Sequence, residues 1–120
     1  AGEHDKAIER YRQILKVSPN EVGALNNLAY SLAVHRGAPG EALPLAQRAY
    51  TASNNSPLVA DTLGWVMHLS GDRMQALRYT QMAATGAPRN GEVRYHYAAA
   101  LANAGDPDRA AEELAAALEL

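Results

Sequence analysis

The sequence contains no cysteine and no phenylalanine, and it has only one tryptophan. Without cysteine, disulfide bonds and thiolate metal sites are excluded, and the redox compartment of the protein stays open. Without phenylalanine, a core must be built from smaller side chains, each of which buries little area. No apolar run is long enough to span a bilayer, and no signal-peptide pattern is present. We therefore expect no direct membrane insertion.

The charge balance gives the chain no strong electrostatic preference. The formal net charge of -2 at pH 7 offers no reason to expect nucleic acid or an acidic membrane surface as partner. Alanine is the commonest residue, whereas valine and isoleucine are few. Because alanine is the best helix former and β-branched residues favour strands, this composition predicts an all-α protein. The sequence starts at Ala1 within a helical pattern, so we expect a fragment of a longer protein.

The chain repeats itself with a nearly constant period. Alanines recur 35, 34 and 34 residues apart, at Ala7, Ala42, Ala76 and Ala110. The stretches between them also align with one another, and they read ALNNLAYSLA from Ala24, ADTLGWVMHL from Ala60 and RYHYAAALAN from Arg94. A fixed period of this length, with helical spacing in both halves, is typical of a solenoid of helix pairs.

These repeats resemble the tetratricopeptide repeat. The best match is ADTLGWVMHLSGDRMQALRYTQMAATGAP, residues 60–88, with a Leu-Gly pair, an aromatic residue, and then alanine and proline. The resemblance covers residues 1–120 as a single solenoid, with the second helix of a truncated repeat at 3–19 and complete repeats at 22–56, 57–90 and 91–120. It implies a right-handed superhelical solenoid of antiparallel helix pairs, with about 3.5 repeat units, or roughly seven helices. The first helix of each pair should line the concave side.

The first complete repeat departs from this pattern. Its corner, residues 36–40, carries one extra residue, and Pro44 follows early in the next helix. Proline is tolerated only in the first turn of a helix, because it lacks the N–H that later positions donate. We therefore expect this helix to start late or to lose one hydrogen bond.

No residue pattern in the sequence indicates catalysis. The histidines have no metal-ligand spacing such as H-x-x-x-H and no cysteine partners; they are His4, His35, His68 and His96. His68 and His96 can approach each other across neighbouring first helices, but we interpret them as solvated or hydrogen-bonded side chains. The glycines form no phosphate-binding loop, and no serine or threonine has a neighbouring His–acid pair. We expect no enzyme activity, no cofactor and no metal site.

In the tetratricopeptide family, ligand contacts come mostly from the first helices. The matching positions in this chain are Asn26, Tyr30, Asp61, Trp65, His68, Glu92, Tyr95 and Ala99. Trp65 and the tyrosines fit two roles, as binding anchors or as side chains packed between neighbouring repeats. Members of the family that hold the acidic C-terminus of chaperones use Lys, Arg and Asn in this groove, whereas this chain has Asp61 and Glu92. The resemblance therefore implies a protein or peptide ligand that is neutral, aromatic or weakly basic.

The wider function is open to several interpretations. The repeat stretches resemble bacterial tetratricopeptide arrays, including the long scaffolds of exopolysaccharide assembly and export, and abundant Ala and Arg with only two Lys suit a GC-rich bacterial genome. The periplasm or envelope is therefore favoured over the cytoplasm. The alternatives are a cytoplasmic adaptor or regulatory domain and an accessory domain of a larger enzyme. A pentatricopeptide-type RNA reader needs a basic groove, which Asp61 and Glu92 oppose.

The terminal helices lack a partner on one side. Solenoids normally carry capping helices, so we expect part-exposed apolar side chains at both ends, namely Ile8, Ile14, Leu15, Leu114 and Leu118. The chain should form weak homo-oligomers through these faces at high concentration.

Overall fold

A computed structural model describes residues 2–120, which form seven α-helices and no β-strand. In chain order the helices are α1 (Gly2–Val17), α2 (Val22–Tyr30), α3 (Pro39–Ala52), α4 (Pro57–Ser70), α5 (Arg73–Gly86), α6 (Gly91–Asn103) and α7 (Pro107–Leu118). α2 pairs with α3, α4 with α5 and α6 with α7, and α1 packs on α2. The pairs stack into a right-handed superhelical solenoid that measures 45 × 29 × 26 Å. The predicted all-α solenoid is thus confirmed.

Local sequence signals fix where the helices begin and end. Four side chains accept a hydrogen bond from the backbone N–H three residues later, at 2.6–3.2 Å, and they belong to Glu21, Asp72, Asn90 and Asp106. These bonds satisfy donors that have no partner within the helix. α4 and α7 start with Pro57 and Pro107, where a missing N–H costs nothing. Gly71 and Gly105 end α4 and α6 with φ of 88° and 91°, a left-handed conformation that favours glycine.

The extra residue of the first complete repeat lies inside a helix. α2 is continued by a π-helical turn over Ser31–His35, and such a turn holds one residue more than an α-helical turn. Leu28 lies nine positions before Gly37, whereas in the next repeat Leu63 lies eight positions before Gly71. Gly37 has a positive φ of 62°, as Gly71 does, so the two corners are equivalent. The prediction that the corner itself carries the insertion is therefore wrong.

α3 contains Pro44 in its interior. The helix begins at Pro39, so the late start that we considered does not occur. Instead, Pro44 has no N–H to donate to the carbonyl of Gly40, and one hydrogen bond of the helix is missing. The proline is exposed, so its ring faces solvent and leaves the core undisturbed.

Two paired helices, α4 and α5, approach each other closely at Gly64 of α4. A β-carbon at this position would lie 2.8 Å from Cγ2 of Thr80, 2.9 Å from the backbone N of Thr80 and 3.2 Å from Cβ of Tyr79. The alignment of the repeats predicts Ala76 opposite Gly64. The contact is instead one turn further along α5, and Ala76 is buried in the main core cluster beside Leu63.

Both ends of the solenoid expose apolar side chains. Ile14 is 39% exposed, Leu114 40% and Leu118 80%, and Leu15 is half-buried. Ile8 was expected among them, but it is buried, because side chains of the first complete repeat cover it in the main core cluster. Among residues 2–120, no helix is both long enough and apolar enough to cross a membrane.

Candidate binding groove

The first helices α2, α4 and α6 lie side by side, with α4 in the middle. They carry all eight side chains that the sequence places in the groove: Asn26 and Tyr30 on α2, Asp61, Trp65 and His68 on α4, and Glu92, Tyr95 and Ala99 on α6. The structure divides these side chains among three features. We call them the polar pocket, the aromatic stack and the end pocket.

The polar pocket has a volume of about 330 Å³ and lies between α2, α4 and the start of α6. Four of the eight expected residues line it, namely Asn26, Tyr30, Asp61 and Glu92. The repeat pattern did not point to the other lining residues, which are Asn27, Leu58, Thr62, Asn90 and Val93. Among the lining residues that the structure describes, two carry a carboxylate and none is a lysine or an arginine. A group that is positively charged or rich in N–H donors therefore complements this pocket.

Asp61 and His96 form a buried polar pair between α4 and α6. Nδ1 of His96 lies 2.8 Å and 3.0 Å from the two carboxylate oxygens of Asp61. The side chain of Asp61 is only 9% exposed and that of His96 only 5%. A neutral His96 donates its Nδ1–H to the carboxylate, and a protonated His96 adds charge pairing. Each partner offsets the cost of burying the other. Sequence reasoning found Asp61 but left His96 out of the groove.

Trp65 is half-buried and stacks on two histidine rings, and these three side chains form the aromatic stack. The indole lies 4.6 Å from His68 and 4.2 Å from His96, measured between ring centroids. The two histidines, which the sequence brings near each other across neighbouring first helices, thus stack on the same indole. Burial, and secondarily the neighbouring His96, lowers the pKa of His68. Trp65 therefore packs across two repeats, while part of its surface stays accessible. It combines the two roles that the sequence left open, packing between repeats and anchoring a ligand.

Tyr30 and Asn26, together with Asn27, form the side of the polar pocket that α2 contributes. Burial raises the pKa of Tyr30, and the charges of Glu92 and Asp61 raise it further. The phenol therefore remains an O–H donor at neutral pH. Oδ1 of Asn26 is buried and has no hydrogen-bond partner among the described residues. Because buried polar atoms are nearly always paired, this oxygen is available to a ligand or water.

Tyr95 and Ala99 lie beside these residues, at the edge of the groove near α7. Tyr95 is 52% exposed, and its ring centroid is 6.0 Å from that of His96. Tyr95 and Ala99 line the end pocket, an apolar space of about 220 Å³ between α6 and α7 whose other lining residues are Ala98, Ala102, Ala110, Ala111 and Leu114. The structure thus brings six of the eight expected residues to the polar pocket and the aromatic stack, and it places two next to them.

Asp61 and Glu92 of the polar pocket, together with the neighbouring His96, could hold a metal ion. Asp61, Glu92 and His96 each offer one ligand atom, and these atoms all lie within 4.8 Å of one another. Glu92 and His96 are four positions apart on α6, so they share one face of the helix. A search of the sequence for H-x-x-x-H does not find this set. The pattern that could have revealed the site is E-x-x-x-H, Glu92 to His96, on one first helix, with the acidic Asp61 on the preceding first helix.

Comparisons with known proteins agree with the solenoid fold. A family model described as Tetratricopeptide repeat matches residues 1–120. The TPR repeat-containing protein PA4667 of Pseudomonas aeruginosa PAO1 is 32% identical over 85 residues, and the match covers 71% of this chain but 14% of that protein. A crystal structure of MamA is 22% identical, with a TM-score of 0.81, over 98% of this chain and 68% of that one. MamA 41-end from Desulfovibrio magneticus RS-1 is 20% identical, with a TM-score of 0.82, over 99% and 67%. These two structures establish the fold alone.

Proposed function

The chain belongs to the tetratricopeptide repeat family, and we propose that its first helices hold a segment of a partner protein. The family and the solenoid fold support a protein-interaction scaffold as the coarse function. Our finer proposal is that the partner segment crosses α2, α4 and α6 on the concave side, and that the chain itself does not catalyse a reaction. The chain spans 14% of its curated relative, so further activities of a parent protein lie outside this proposal.

The polar pocket is the observation that carries the proposal. Oδ1 of Asn26 is buried without a hydrogen-bond partner among the described residues. Glu92 is exposed, and it takes part in none of the ion pairs found among residues 2–120. Groups of this kind gain hydrogen bonds or charge pairing when a ligand arrives. We infer that the partner presents a basic side chain or backbone N–H groups to this pocket.

Trp65 gives the partner an apolar surface next to the pocket. Tryptophan is among the residue types that most often dominate binding energy, because its large rigid ring buries much area at little entropic cost. Stacking on the rings of His68 and His96 restricts the orientation of the indole. A segment that combines a basic residue with a neighbouring apolar or aromatic residue therefore fits this surface best.

Peptides selected by the chain from a random display library test the proposal. We expect the selected peptides to be enriched in basic and aromatic residues. Trp65→Ala should weaken their binding by about thirtyfold, which corresponds to about 2 kcal/mol. Fluorescence anisotropy measures the affinity, and circular dichroism checks that the variant is folded. Gln81→Ala changes an exposed residue of α5, and it should leave the affinity unchanged.

A second variant keeps the test decisive if Trp65→Ala lowers the helical signal. Glu92→Gln removes one charge at an exposed position and leaves the packing intact, so it should weaken basic peptides while the melting curve stays the same. Enrichment of acidic peptides, or wild-type affinity in both variants, would overturn the proposal.

We propose that the parent protein works in the bacterial envelope, in exopolysaccharide assembly or export. The support is the resemblance of the repeat stretches to such scaffolds, together with the bacterial source of the curated relative. Fractionation of cells that produce the full-length gene product tests this idea. Recovery with the periplasm or membranes supports it. Recovery in the cytosol would replace it with the cytoplasmic adaptor.

A further inference from the structure

Asp61, Glu92 and His96 bring three metal-ligating groups to one place from two neighbouring helices. Their ligand atoms lie within 4.8 Å of one another. Neighbouring ligand atoms of a tetrahedral zinc ion are about 3.4 Å apart, because each lies about 2.0–2.2 Å from the metal. A side-chain adjustment must therefore draw the ligand atoms together. Glu92 is exposed and free to make it, whereas Asp61 and His96 are buried.

The buried pair already has nearly the spacing of two ligands on one ion. Nδ1 of His96 and Oδ1 of Asp61 are 2.8 Å apart, compared with about 3.4 Å for neighbouring ligands in a tetrahedral zinc site. A hydrogen bond holds them at this distance. A metal ion binds the neutral, unprotonated nitrogen of imidazole. The ion would thus take the place of the Nδ1 proton: in a neutral ring that proton shifts to Nε2, and a doubly protonated ring releases one proton to solvent.

A second feature of the polar pocket also points to a ligand. Oδ1 of Asn26, on the α2 side, is a buried oxygen without a partner among the described residues. An amide oxygen can accept a hydrogen bond from a metal-bound water. The pocket volume of about 330 Å³ leaves room for the waters that complete the coordination of an ion held by three protein ligands.

From this geometry we propose that Asp61, Glu92 and His96 bind a first-row divalent cation, with Zn²⁺ as the best match. One imidazole nitrogen and two carboxylates form a mixed set of ligands that zinc accepts. Ca²⁺ takes six to eight oxygen ligands, and a site with one nitrogen does not suit it. This inference goes beyond the proposed function and does not depend on it, because the chain alone supplies the ligands.

Zinc at this site changes which partner fits the polar pocket. The two carboxylates carry two negative charges, and a divalent cation neutralises both. A basic side chain of a partner and the ion therefore compete for Asp61 and Glu92. With zinc bound, the pocket favours a group that can itself donate electrons to the metal, such as a carboxylate or an imidazole.

The experiment is a titration of the untagged chain with ZnCl₂, followed by calorimetry and by tryptophan emission. Trp65 is the only tryptophan, and its ring stacks on His96 at 4.2 Å, so its fluorescence reports on this site. We expect a saturable change in emission with the same affinity and 1:1 stoichiometry that calorimetry gives. CaCl₂ at the same concentration should produce neither signal.

Glu92→Gln is the decisive variant, because this exposed residue can change without disturbing the core. We expect it to weaken the affinity for Zn²⁺ by about tenfold to a hundredfold. The matched control Glu112→Gln, exposed on α7, should bind zinc as the wild type does.

His35→Gln tests whether zinc binds instead to the histidine pair near the N-terminus, where His35 stacks on His4 at 3.6 Å. We expect it to leave both the affinity and the Trp65 signal unchanged. Wild-type affinity in Glu92→Gln, loss of binding in His35→Gln, or no zinc binding by the wild type would each overturn the proposal.

Discussion

Replacing Gly64 by alanine adds one methyl group where α4 and α5 pack closely against each other. The new β-carbon would lie 2.9 Å from the backbone N of Thr80 and 3.2 Å from Cβ of Tyr79. Neither atom can rotate away, because one belongs to the backbone and the other is attached directly to it. The two helices must therefore separate, and the apolar contacts around the crossing loosen.

The size of the effect follows from two opposing terms. Overpacking of a core costs about 1–3 kcal/mol, and the rigid neighbours of Gly64 place this change toward the upper end. Alanine is better than glycine in a helix by about 0.8–1.0 kcal/mol, which offsets part of the loss. We expect Gly64→Ala to lower the free energy of unfolding by about 1–2 kcal/mol. For a domain of this size, the melting temperature should fall by about 4–8 °C.

Gly40→Ala is the matched control. It is also a helical glycine, but a β-carbon there would meet nothing within 4 Å. We expect this change to be neutral or to stabilise the protein by up to about 1 kcal/mol. Thermal melts followed by circular dichroism measure both variants. Gly64→Leu should destabilise more than Gly64→Ala, and the exposed Arg78→Ala should change little. Shifts of the same sign and size at Gly64 and Gly40 would refute the assigned helix crossing.

Two further outcomes follow from the structure. Pro44→Ala gives the carbonyl of Gly40 a hydrogen-bond donor again. An interior proline costs a helix about 3 kcal/mol, but it also stabilises the fold by up to about 1 kcal/mol because it restricts the unfolded chain. The variant should therefore be more stable by about 2 kcal/mol in urea unfolding. Unchanged stability would mean that the restored N–H finds no acceptor. The exposed Ile14, Leu114 and Leu118 should drive weak self-association, which light scattering at millimolar protein detects and Leu118→Gln reduces. A clean monomer at that concentration would contradict this.

The solenoid was predictable because its determinants repeat along the chain. Small residues recur where the paired helices pack closely, and Gly71 and Gly105 recur at the corners, so one period shows in both helices of each pair. The position of the insertion was not predictable. The extra residue between Leu28 and Gly37 sets these two residues nine positions apart, whether it lengthens the corner or forms a π-helical turn. Only the packing of α2 against its neighbours distinguishes these two cases.

The residues of the groove were predictable in position but not in grouping. The register places Tyr30, Trp65 and Tyr95 on the first helices, as the structure has them. The twist between successive repeats decides which of these side chains share a pocket, and the sequence does not specify that twist in detail. Tyr95 consequently lies at the end pocket. His96 joins Asp61 because the helices are rotated so that these two positions face each other.

Amide chemical shifts of the chain, recorded by NMR with and without a selected peptide, test most directly where the partner binds. Binding across the first helices predicts that the largest shifts fall on α2, α4 and α6, centred on the polar pocket and the indole N–H of Trp65. The amides of α3 and α5 that face away from the groove should change little. Large shifts confined to α3, α5 and α7, with the Trp65 signal unmoved, would contradict binding in the groove.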